Sequence, residues 1–144
     1  MRVYADSSFL VSCYLLDTNT ARAKAFLSEH DGPLPFTALH ELEVRNALRL
    51  GVFRQVLTDD QAKAAATAID EDLRNGRLVR TTVKWPVAFR ATLRLSERHA
   101  AKTGTRSLDI LHIASASALR MKEFATFDSR QRTLAVAAGL TEAV

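Results

Sequence analysis

The stretch Phe124-Ala125-Thr126-Phe127-Asp128-Ser129 decides how the rest of the chain is read. Apolar and β-favouring residues run straight into an acid, and residues 129–138 then follow helical periodicity up to Gly139. The start of the chain repeats this grammar. Residues 2–5 (Arg-Val-Tyr-Ala) are strand-like, Asp6 ends the strand, and residues 7–16 read as a helix. A strand that stops on an acid and passes directly into a helix is the first half of a β–α–β unit. If two such strands are parallel neighbours, their acids emerge at one carboxyl edge, where open α/β sheets bind ligands. Each acid also has a plainer reading, as the N-cap of the helix that follows it.

The intervening residues alternate in the same way. Residues 21–28 read as a helix closed by Asp31-Gly32-Pro33, 34–37 as a short strand, and 38–50 as a helix ended by Gly51. Thr58 followed by Gln61 is a capping-box pair that opens a helix reaching Asn75-Gly76. Residues 78–83 are strand-like, and Pro86 suits the first turn of a helix running to Lys102, with Gly104 as its stop. Residues 107–121 are apolar nearly all round, which predicts a central buried helix, and 141–144 form a last strand. Strands alternating with helices predict an α/β sandwich around a mostly parallel sheet. No repeat, low-complexity tract or Pro/Gly/Ser-rich linker interrupts the 144 residues, so one domain over 1–144 is expected.

Composition narrows the function classes. A chain that is 47% hydrophobic and 25% charged is an ordinary globular one rather than a disordered one. The formal charge of +4, from 20 basic and 16 acidic residues, permits a polyanionic partner without requiring one. Arginines outnumber lysines three to one, a bias that suits forked contacts to phosphates or carboxylates and that high-GC coding also produces. Cys13 is the only cysteine, so no internal disulfide forms, and its place in the apolar run 9–16 predicts a buried structural thiol. That run is too short to span a bilayer and is bracketed by Asp6 and Asp17. It lacks a basic leader and a small-residue cleavage site, so the cytoplasm is the expected compartment and no membrane segment is expected.

Two further acids sit in unexpected company. Stepping about 100° per residue, Glu43 falls on the helix face carrying Leu39, Leu42, Ala47 and Leu50. A carboxylate in a core-facing stripe is unfavourable without a cationic partner, so the choices are a buried salt bridge to an arginine or a metal. Asn46 shares this face, either to orient the carboxylate or simply to satisfy a nearby backbone group. Asp109 opens the apolar helix two positions after Ser107, on a surface shared with His112, Ile113 and Ala116. A negative charge at a helix N-terminus is worth about 0.3–1 kcal/mol. That accounts for its place in the first turn but not for its presence in so apolar a helix. Asp109 and His112 have the spacing of a transition-metal pair, although a packed, hydrogen-bonded histidine is the ordinary reading. A di-iron bundle would need paired Glu-x-x-His motifs, which the chain lacks.

The four acids explain one another. Carboxylates gathered in a cleft repel, and a divalent cation removes that penalty. Oxygen-only ligands favour hard ions, Mg²⁺ or Mn²⁺, over zinc, for which there is no Cys/His cluster. The isolated glycines offer no phosphate loop, and Ser7 and Ser8 lack the context of a nucleophile elbow. Arg90, Arg94, Arg98 and Lys102 recur every four residues along one predicted helix, a basic stripe suited to tracking a phosphate backbone. The competing reading is a solvated face partly paired with Glu97. Arg45 and Arg49, flanking Glu43, are rival candidates for the same role.

With these residues in view the chain resembles a PIN domain, specifically the VapC-type toxin ribonucleases of prokaryotic toxin–antitoxin pairs. The resemblance rests on Val3-Tyr4-Ala5-Asp6-Ser7-Ser8, Leu42-Glu43-Val44-Arg45-Asn46-Ala47-Leu48, Ser107-Leu108-Asp109-Ile110-Leu111-His112-Ile113-Ala114 and Ala125-Thr126-Phe127-Asp128-Ser129-Arg130 with Ala138-Gly139-Leu140. These pieces stand in order and span nearly the whole chain. The resemblance implies a three-layer α/β/α sandwich with a mostly parallel central sheet, and Asp6, Glu43, Asp109 and Asp128 as metal-holding catalytic carboxylates. The context around Glu43 assigns that role to it rather than to Glu41, and Ser8 matches the small hydroxyl residue that supports the first acid. The implied reaction is endonucleolytic hydrolysis of single-stranded or looped RNA, leaving 5′-phosphate and 3′-hydroxyl ends. A cognate antitoxin and a homodimer are implied as well, with an antitoxin arginine expected in the acidic cluster.

Two other readings compete. A receiver-like Mg²⁺-binding domain would need paired acids after the first strand, a phosphoacceptor after the third and a later lysine, whereas one acid follows the first strand here. A non-catalytic module whose acids grip a basic partner predicts neither metal dependence nor cleavage.

Overall fold

The computed structural model describes all 144 residues. In chain order the elements are β1 (Val3–Ala5), α1 (Ser7–Tyr14), α2 (Thr20–Glu29), β2 (Leu34–Phe36), α3 (Ala38–Phe53), α4 (Asp59–Arg74) and β3 (Leu78–Arg80). There follow α5 (Trp85–Leu95), a π-helical turn (Ser96–Ala100), α6 (Ala101–Thr103), α7 (Ser107–Ala118), β4 (Glu123–Ala125), α8 (Ser129–Ala137) and β5 (Thr141–Glu142). The chain forms two compact units, Met1–Asp6 with Thr82–Val144, and Ser7–Thr81.

In the first unit β4 lies between β1 and β5, and both pairings are parallel. Parallel strands need covered faces. Tyr4 and Phe124 stack across the β1–β4 pair with ring centroids 5.7 Å apart, against Ile110 and Ile113 of α7 and Leu134 of α8. As its all-round apolar sequence predicted, α7 is the central helix, with every residue from Ile110 to Ala116 buried. His112 is buried there too, its Nδ1 2.9 Å from the Tyr4 hydroxyl, which is the packed, hydrogen-bonded reading.

In the second unit β2 and β3 pair in parallel, Leu34 opposite Leu78. Phe9, Phe36, Val44 and Ile69 are all buried in its core. Thr58 and Gln61 form the predicted capping box at the start of α4. The α3 helix differs from expectation in two ways. It runs through Gly51 to Phe53, because the left-handed residue that stops it is Gln55 (φ 58°) rather than the glycine. An added Cβ at Gly51 would meet the Leu57 side chain at 2.5 Å, so the missing side chain makes room for packing instead of ending the helix. Its buried residues are Leu39, His40, Val44, Leu48 and Gly51, so of the predicted face Leu39 is buried while Leu42 is 65% exposed and Leu50 also faces solvent. An imidazole occupies one of these core positions. His40 is fully buried because its Nδ1 accepts the Thr37 amide hydrogen at 3.0 Å, so a count of apolar residues passes over it.

Candidate functional site

The parallel register of Ala5 with Ala125 sets the residues after β1 and β4 at the same carboxyl edge, as the strand–acid pattern predicted. The Asp6 amide extends the ladder to the Ala125 carbonyl at 3.0 Å. Asp6 is 3% exposed, and the buried Thr126 hydroxyl lies 2.7 Å from its Oδ2 as a donor. Two residues further, Asp128 caps α8: its Oδ1 accepts the Gln131 amide hydrogen at 2.9 Å, and its own N–H donates to Thr126 Oγ1 at 3.0 Å. The plainer capping role therefore holds for Asp128. Asp109 stands in the first turn of α7, its Oδ2 3.0 Å from the exposed Arg106 guanidinium. Two helix N-termini thus carry an acid each, where the helix dipole favours negative charge.

Gln131 ties these groups together. Its Nε2 donates to the Asp109 carbonyl at 3.1 Å, and its Oε1 lies 2.9 Å from Thr126 Oγ1. In the first unit, then, hydrogen bonds through two buried polar residues connect Asp6, Asp109 and Asp128.

Glu43 belongs to the second unit, where it is half-buried on α3 and its Oε2 accepts the Ser7 hydroxyl at 2.7 Å. Ser7 follows Asp6 directly in the chain. Asn46 is exposed and does not supply this hydrogen bond; Ser8 is exposed as well. Glu41 is committed elsewhere. Burial pushes its carboxyl up, but hydrogen bonds from Arg45 and Arg80 outweigh that and hold it below the usual range. Arg45 reaches Glu41 and Asp70, each at 2.6 Å, so it serves an ion-pair cluster. Arg90, Arg94, Arg98 and Lys102 are all exposed, and no ion pair with Glu97 forms.

No three His, Cys, Asp or Glu side chains form a ready-made ligand group. Unscreened carboxylates repel, and each acid of the first unit takes a local donor: Thr126, Arg106 or an α8 amide. The donor set is nevertheless of the right chemistry for a hard divalent cation, since every candidate ligand is a carboxylate. Sequence reasoning passed over Ser7, Arg106, Thr126 and Gln131. For Gln131 a signal existed: an acid followed three residues later by Gln has capping-box spacing, the pattern read at Thr58 and Gln61.

The PIN domain family model matches residues 3–137. No curated protein matches the sequence. Among solved structures the chain is similar to Mycobacterium tuberculosis VapC20, a sarcin–ricin loop cleaving toxin, at 15% identity and a TM-score of 0.71, covering 96% of each chain. It is similar to FitAcB from Neisseria gonorrhoeae at 18% identity and a TM-score of 0.64, covering 97% of this chain and 95% of that one. It is also similar to PAE2754 from Pyrobaculum aerophilum at 17% identity and a TM-score of 0.61, covering 99% of this chain and 84% of that one. At such identities the likeness is one of fold, the α/β/α class that the sequence resemblance implies. With its strand-end acids, its parallel strand pairs and a family match across nearly its whole length, the chain belongs to the PIN domain family of nucleases.

Proposed function

We propose that residues 1–144 form a single metal-dependent endoribonuclease domain, the toxin of a toxin–antitoxin pair, with Asp6, Glu43, Asp109 and Asp128 holding Mg²⁺ or Mn²⁺. The observation that carries this reading is the buried Asp6 at the paired ends of β1 and β4, joined through Thr126 and Gln131 to the elements bearing Asp109 and Asp128. Bound there, the cation would supply an acidified water and a counter-charge for the phosphate oxygens. The chain's own part is positional. Thr126 fixes the direction of Asp6, the α8 amide holds Asp128, and Ser7 holds Glu43. To Asp109 or Asp128 we assign the additional role of general base, taking the proton of the attacking water.

The substrate class is RNA. Arg90, Arg94, Arg98 and Lys102 would track the phosphate backbone; Arg94 and Arg98 line a cleft of about 170 Å³ with Ala91, Ala114 and Ala138. Similarity to a toxin that cleaves the sarcin–ricin loop makes a structured ribosomal loop one RNA to assay. The partners proposed are a cognate antitoxin, whose arginine enters the acidic cluster, and a second copy of the chain, in the cytoplasm. A complex structure with no cation near the four acids would sink the arginine contact. No helix is long and apolar enough to cross a membrane.

The test is cleavage of total cellular RNA by purified protein with Mg²⁺, Mn²⁺ or EDTA, beside Asp6→Ala. Cleavage that needs metal and vanishes in the variant supports the nuclease. Protein free of antitoxin that neither cleaves nor binds Mn²⁺ turns the reading toward a non-catalytic module gripping a basic partner.

A further inference from the structure

Gln131 is a polar residue that is completely buried. A buried amide is retained without penalty only when both its ends are paired, and here each end meets part of the acid site. Its Nε2 donates to the Asp109 carbonyl at 3.1 Å, its Oε1 meets Thr126 Oγ1 at 2.9 Å, and its main-chain N–H donates to Asp128 Oδ1 at 2.9 Å. The carbonyl of Asp109 can only accept, so it fixes which way the amide points. The Thr126 hydroxyl has one proton and two oxygen acceptors before it, Asp6 Oδ2 at 2.7 Å and Gln131 Oε1. The Asp109 carbonyl thus orients Gln131, and Gln131 bears on Asp6 through the one Thr126 proton, for which Gln131 Oε1 and Asp6 Oδ2 compete.

We propose that Gln131 is the positioning residue that holds Asp6, Asp109 and Asp128 in one geometry for the cation. This rests on the reading of those acids as metal ligands. A residue that only filled the core would be replaceable by an apolar side chain of equal length, whereas partners that orient ligands govern metal affinity.

The experiment uses the full chain with Gln131→Met, which keeps the length and removes the amide. Mn²⁺ is titrated calorimetrically, urea unfolding is followed without metal, and kcat and KM are measured on RNA. The expected result is a cooperatively folded variant whose Mn²⁺ dissociation constant rises about tenfold or more, with kcat reduced and KM little changed. Gln131→Asn, with the same amide on a shorter stem, should show the same loss because it cannot bridge Thr126 and Asp109. It carries the comparison if the Met variant does not fold. Folded variants that bind Mn²⁺ within about twofold of the parent, well short of the loss expected for a ligand-orienting group, overturn the positioning role alone. A parent protein that binds no Mn²⁺ overturns the metal reading of the acids, and the positioning role with it.

Discussion

Two glutamates two residues apart on α3 illustrate how much a single side chain's surroundings decide. Glu41 is spoken for by two arginines, while Glu43 takes a neutral hydroxyl from Ser7. Glu41→Gln should therefore leave RNA cleavage intact and lower stability by only about 0–1 kcal/mol, as for a partly exposed ion pair. Glu43→Gln should reduce kcat by more than about a hundredfold, beyond what the loss of a merely orienting partner does. Parallel cleavage assays and urea melts separate the two. Cys13 offers a second check at this scale. Burial, reinforced by Asp72 and Asp17, pushes its thiol from 9.0 up to about 12. The native thiol should resist alkylation by iodoacetamide at pH 8 and react once the chain is unfolded. Because the folded protein keeps this proton longer than the unfolded chain, the contribution to stability is complete below pH 9 and is lost as pH rises toward 12.

Among the elements, α4 is closed at its start by the reciprocal Thr58–Gln61 bonds, 2.9 and 3.1 Å long. Removing the hydroxyl with Thr58→Ala should lower unfolding free energy by about 1 kcal/mol, read as a shift of the urea midpoint, and leave cleavage unchanged. The basic stripe is also an element-scale feature. In an α-helix, side chains four residues apart drift by about 40° around the axis. The π-helical turn Ser96–Ala100, which contains Arg98 and precedes Lys102, spends more residues on its turn and offsets part of that drift. Replacing both Arg94 and Arg98 by Ala should weaken RNA binding uniformly across sequences. If each meets one phosphate, the slope of log K against log salt should fall by about 1.4, from roughly 0.7 per phosphate on a single strand.

For the molecule as a whole, the proposed cation is a stability question as well as a catalytic one. An ion that binds the folded chain and not the unfolded one stabilises it by about 2.7 kcal/mol at a hundred times its dissociation constant. Mn²⁺ should thus raise the melting temperature of the parent protein, do so much less for Asp6→Ala, and lose its effect on addition of EDTA. The excess of basic residues, +4 in all, predicts that the proposed association with RNA strengthens at low salt and is progressively screened as salt rises.

What the sequence by itself determined is the part governed by local rules. The strand–acid–helix grammar placed Asp6 and Asp128 at one sheet edge, the apolar run 107–121 located the buried helix, and the order of the acids implied the family. Only the tertiary structure decided which polar residues serve those acids. Ser7 and Thr126 are ordinary in sequence, Gln131 shows there only its capping-box spacing from Asp128, and their partners Glu43, Asp6 and Asp109 lie 36, 120 and 22 residues away. The face of α3 was likewise settled in three dimensions, because His40 becomes a core residue once the Thr37 amide satisfies it. Periodicity reports burial of apolar surface, whereas a polar group's place depends on a partner that the chain must fold to supply.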